Sequence, residues 1–97
     1  RKKNRPAIML RELPLYGDFL VCGVSTQLHH CLKDFDEIIS PQDPDFKSSG
    51  LLAKSLIRLG FLAVIPRNNI VGTIGSIGKE RHHHLLKNLA SFLLKDF

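Results

Sequence analysis

Two apolar runs flank a short connection near the start of the chain, and this pairing constrains the fold most. Residues 6–11 open with Pro6 and continue Ala7-Ile8-Met9-Leu10-Arg11. Residues 19–24 are Phe19-Leu20-Val21-Cys22-Gly23-Val24. Between them, Pro14 and Gly17 punctuate a turn-rich linker. Two strand-like runs joined in this way predict an antiparallel hairpin. The second run is apolar at every position, which predicts a central strand with both faces covered.

Such a hairpin brings two polar ends together. Arg5 precedes the first strand, held extended by the following Pro6. Ser25-Thr26-Gln27 follows the second strand. In an antiparallel pair these positions share one end of the sheet. A guanidinium and two hydroxyls would then meet beside Lys2 and Lys3. Such a cluster suits a phosphodiester, whose developing negative charge it can stabilise. The same residues also read as an ordinary loop arginine and a Ser-Thr turn.

Further along, residues 28–35 read as a polar loop containing His29, His30 and Cys31. Residues 36–40 read as a short strand and 41–50 as a long loop. Residues 51–59 read as a strand, although a helix is compatible with their propensity. Gly60 and Pro66 bracket another apolar run at 61–65. Residues 70–77 alternate apolar and small side chains and predict a further, tightly curved strand. Lys79 to Lys95 is the clearest helix, with Gly78 as N-cap and Glu80 in its first turn. Leu85, Leu86, Leu89, Phe92 and Leu93 fall on one face of it. Short antiparallel strands closed by one helix predict a mainly β, α+β domain. The expected form is a small curved sheet or barrel with the helix packed against it.

The chain has 97 residues, enough for one small domain, with 43% hydrophobic and 24% charged residues. Lysine and arginine number 14 against 9 acids, a formal charge of +5, which favours a polyanionic partner. The longest apolar runs are too short to span a bilayer. Cys22 and Cys31 do not form a metal-binding spacing, and Cys22 reads as a core filler. A reducing compartment is therefore the expected one. His82-His83-His84 would point about 100° apart on a helix and so could not converge on one ion. No Gly-rich phosphate loop is present, and no cofactor is expected.

Four segments in order resemble the MazF/PemK toxins of bacterial type II toxin–antitoxin systems. They are the basic loop into Arg5-Pro6-Ala7-Ile8-Met9-Leu10, the strand from Asp18 into Ser25-Thr26-Gln27, Gly50 to Leu59, and Ile74-Gly75-Ser76-Ile77 with the closing helix. The resemblance implies a small SH3-like antiparallel barrel of the PemK/CcdB kind with a C-terminal helix. It implies one domain over residues 1–97 that lacks the family's first N-terminal strand. It also implies a cytoplasmic homodimer without cofactor or metal that cuts single-stranded RNA at short sequences. In that chemistry the RNA's 2′-hydroxyl attacks the adjacent phosphorus and leaves a 2′,3′-cyclic phosphate. An acidic MazE-like antitoxin would neutralise the protein.

By the same resemblance Arg5 matches the catalytic arginine. Ser25 stands where the family usually has threonine, with Thr26 beside it. Lys2, Lys3 and Gln27 would follow neighbouring phosphates or bases. Some members carry an acid near the position of Leu59-Gly60, where this chain has none. The general acid and base therefore stay unassigned. Two other readings fit the sequence: a non-enzymatic toxin of the same fold that binds a protein such as gyrase, and a non-catalytic RNA-binding barrel.

Overall fold

The computed structural model describes residues 4–95. Strand β1 spans Ala7–Glu12 and β2 spans Phe19–Ser25, and they pair antiparallel. The turn between them places Leu15 and Gly17 in the left-handed region, at φ 76° and 71°. Leu13 N–H closes the turn by donating to Asp18 O at 2.8 Å. The predicted hairpin forms.

Strand β3 is short, Glu37–Ile39, whereas β4 is long, Ser55–Ile65. The four strands form one antiparallel sheet in the order β1-β2-β4-β3. β2 is central, as its apolar sequence predicts. It buries Phe19, Val21 and Cys22.

Two irregularities curl the sheet into a half-barrel. In β1 the register slips at Leu10, so that Met9 opposes Val21 and Arg11 opposes Leu20. This bulge turns Leu10 inward, where it is fully buried. In β4, Leu62 opposes Cys22 but Arg58 opposes Gly23, so Leu59, Gly60 and Phe61 have no partner on β2. The extra residues bend β4 sharply. Gly60 therefore sits at a bend inside one strand and does not separate two runs. The strand begins at Ser55, later than the expected residue 51, because Gly50 at φ 76° ends a preceding helix.

That helix, α1 (Phe46–Ser49), lies inside the stretch expected to be loop throughout. A short 3-10 turn at Leu28–His30 likewise occupies part of the expected 28–35 loop. The larger correction concerns residues 70–77, which form no strand. At Ser76 the backbone bonds to α1 and not to a neighbouring strand. Ser76 N–H donates to Ser48 O at 2.8 Å, and Ser48 Oγ donates to Ser76 O at 2.9 Å. Gly50 and Gly75 permit this approach: a Cβ at Gly50 would collide with Ile74 O, and one at Gly75 with Ser48 O.

The closing helix α2 spans Lys79–Leu93, two residues shorter than expected. Leu85 and Leu89 enter the core with Leu10, Cys22, Ile39, Ile57 and Leu59. Burial of each such leucine contributes about 1.5–3 kcal/mol. Leu86 is half-buried, but Phe92 and Leu93 at the end of the predicted apolar face remain exposed.

Arg81 fixes where α2 begins. Its guanidinium meets Asp45 at 2.8 Å, Asp43 at 3.0 Å and Glu37 at 3.0 Å. Asp45 Oδ2 also accepts from Gly78 N–H at 2.9 Å, which satisfies an orphan donor at the helix start. Chiefly through the Arg81 hydrogen bond, against a smaller opposing effect of burial, the Asp45 carboxyl is held below its ordinary pKa. Burial works to lower the Arg81 pKa, but Asp45, Glu37 and Asp43 together raise it.

Candidate functional site

Arg5 is exposed and lies just outside the β1 ladder. The hairpin register runs Ile8↔Cys22 and Ala7↔Gly23. Continued outward by two residues, it sets position 5 opposite position 25. Ser25 is the last residue of β2 and pairs with Leu56 on the other side. The hairpin thus brings the predicted pair to one end of the sheet. Among the described residues no hydrogen bond or ion pair joins Arg5 to Ser25 or Thr26.

Ser25, Thr26 and Gln27 form a tight turn. Ser25 Oγ accepts from Gln27 N–H at 3.0 Å, and Thr26 O accepts from Leu28 N–H at 3.0 Å. The Ser25 hydroxyl thus acts as an acceptor in the turn and keeps its own proton to donate. Thr26 and Gln27 are exposed. Lys2 and Lys3 lie outside the described residues.

Two residues that the sequence reading passed over stand on the same sheet face. Arg58 pairs with Gly23, the β2 residue opposite Ala7. The Phe61 ring lies directly over Gly23, because the β4 bulge swings it there and glycine has no side chain to oppose it. The Arg58 guanidinium lies 5.7 Å from the centre of the Phe61 ring, in the range of a cation–π contact. Phe61 is 65% exposed. An arginine within an apolar run was the available sequence signal, but only the bulge aligns it with Gly23.

A cleft of about 330 Å³ adjoins the outer edge of β1. Residues 7–9 and 75–77 line it together with Lys79 and His82. His82 Nε2–H donates to Met9 O at 3.1 Å and Leu10 O at 3.0 Å, the carbonyls freed by the β1 bulge. His84 Nδ1 pairs with Glu37 Oε2 instead. His82 and His84 thus engage different strands, as their spacing on a helix dictates. The rings of His29 and His30 pack edge to face at 4.3 Å in the 3-10 turn.

Both cysteines are free. Cys22 is a core residue, and burial, reinforced by the Asp36 charge, pushes its thiol up to about 12. It is an inert filler, as expected. Among the described residues no helix is long and apolar enough to cross a membrane. No protein-family model matches the chain, and no curated protein matches it.

Proposed function

We propose that this chain is a MazF/PemK-like endoribonuclease toxin that cleaves single-stranded RNA without metal. The β1–β2 register supports the reading, since Ala7↔Gly23 continued outward by two positions puts position 5 opposite position 25 at one rim of a curled sheet. Arg5 clamps the scissile phosphate and stabilises the charge that builds on its oxygens. Ser25 or Thr26 donates a hydrogen bond to the same group. Arg58 adds a second positive charge, and Phe61 offers an exposed face on which a base stacks. Lys2, Lys3 and Gln27 hold flanking nucleotides, and the cleft over Lys79 extends the basic track.

In this proposal the 2′-hydroxyl attacks phosphorus, the bond to the 5′-oxygen breaks, and a 2′,3′-cyclic phosphate and a 5′-hydroxyl result. The half-barrel belongs to an SH3-like barrel, the protein is cytoplasmic and dimeric, and an acidic antitoxin covers the basic rim when cleavage is blocked.

The test is digestion of a long single-stranded RNA in EDTA, with sequencing of the fragment ends. Cyclic-phosphate ends at a recurrent short sequence are expected. Arg5→Ala keeps the fold and lowers cleavage by on the order of 10²–10³ or more. Equal cleavage by that variant rejects the assignment. The Phe61–Arg58 pair also favours a second reading, a non-catalytic RNA-binding barrel. It predicts salt-sensitive binding to RNA that stays intact throughout the incubation.

A further inference from the structure

Removing the proton of a 2′-hydroxyl needs a base, and an arginine, always charged, cannot serve as one. Most titratable side chains of this fold are engaged elsewhere. Glu12 pairs with Arg67 at 2.9 Å. Asp36 accepts from Leu32 N–H at 3.0 Å and from Leu59 N–H at 2.9 Å. Glu37, Asp43 and Asp45 surround Arg81. Asp18 lies in the turn at the other end of the hairpin. His82 bonds to β1 carbonyls and His84 to Glu37, while Glu80 and His83 stand exposed on α2.

Two histidines stay beside the rim. Ser25 ends β2, and the 3-10 turn Leu28–His30 begins three residues later. Hydrogen bonds keep the stretch compact. Gln27 N–H donates to Ser25 Oγ at 3.0 Å, Leu28 N–H to Thr26 O at 3.0 Å, and His30 N–H to Gln27 O at 3.1 Å. A chain turned back this tightly keeps His29 and His30 near the end of β2, where position 25 stands opposite position 5. Both side chains are exposed, and their edge-to-face packing orients the rings. The turn packs against β4, whose single charged side chain is Arg58. Lys33, Asp34 and Asp36 are the charged residues of the same loop.

We propose that the His29–His30 pair supplies the general base of this site, an inference that rests on the ribonuclease reading. A neutral imidazole nitrogen takes the 2′-hydroxyl proton as the 2′-oxygen bonds to phosphorus. The bond from phosphorus to the 5′-oxygen breaks, and that oxygen takes a proton from water. The imidazolium then gives its proton to the hydroxide so formed, which restores the site. Histidine suits the step because its side chain changes charge near neutral pH.

Initial cleavage rates of a long single-stranded RNA in EDTA, measured from pH 5 to 8, test the proposal. For the unaltered protein the rate should fall on acidification, as the base becomes protonated. His29→Ala/His30→Ala should lose on the order of 10²–10⁴ in rate and that acid limb. Added imidazole should restore part of the lost rate, which a purely structural role would not allow. His29→Gln/His30→Gln covers the case in which the alanine variant misfolds by circular dichroism. Asp34→Asn, in the same loop at φ 63°, should cleave as the unaltered protein does. Either double variant, folded and cleaving at the full rate with its acid limb intact, overturns the proposal. If Arg5→Ala is inactive in the same assay, the ribonuclease reading survives that result. An unaltered protein that leaves the RNA intact overturns both.

Discussion

Asp45 accepts from Arg81 Nε and Gly78 N–H on one oxygen and from Arg81 Nη2 on the other. It joins a loop, a helix N-terminus and a cation that also holds Glu37 and Asp43. Asp45→Asn keeps the shape and removes the charge facing Arg81. We expect a loss of about 2–3 kcal/mol, in the range of hydrogen bonds to charged groups, measured by urea unfolding. Ser25 offers the opposite case. Its hydroxyl closes an exposed turn, so Ser25→Ala should cost under about 1 kcal/mol in stability. If Ser25 also donates to the scissile phosphate, the same variant loses on the order of 10²–10³ in cleavage rate. Comparing its melting curve with its cleavage rate separates the two roles. Arg5 and Ser25 were legible as individual residues because Pro6 and the polar stop after Val24 mark them. Arg81 was not legible, because its partners lie 36–44 positions away and no local pattern links them.

The elements follow local chemistry where burial and period agree. β1, β2 and α2 were readable from apolar runs, turn residues and helical spacing. Residues 70–77 show the limit. Their alternation fits a strand, but a strand also needs a partner, and here α1 takes the bonds at Ser76. Gly50 is the hinge of that junction: its φ of 76° and its closeness to Ile74 O both exclude a side chain. Gly50→Ala should destabilise the fold by more than the roughly 1–3 kcal/mol of left-handed strain alone. Thermal unfolding checks this, with Gly72→Ala, where a Cβ meets nothing, as the near-neutral control.

At the scale of the whole molecule, one sheet face and its rim carry the candidate RNA site, and the opposite face carries the helix. Stability across pH should report the Asp45 clamp. The folded state lowers this carboxyl's pKa, so it binds that proton less readily than the unfolded chain does. Its contribution is complete above the ordinary carboxylate range and disappears as pH falls through the lowered folded value. Melting temperature should therefore fall on acidification, and Asp45→Asn should flatten that part of the profile. An unchanged acid limb in the variant would place the sensitivity elsewhere.

Sequence alone determined the hairpin, the central place of β2, the inert core thiol of Cys22 and the closing helix. Each depends on neighbours within a few positions or on the bulk preference of apolar side chains for the interior. Tertiary structure alone decided the bulges at Leu10 and Leu59–Phe61 and the Arg81 clamp. Those depend on which strand lies opposite and where its register slips. A bulge of three residues in β4 sets Arg58 and the Phe61 ring at Gly23, next to the end of the sheet where Arg5 and Ser25 stand.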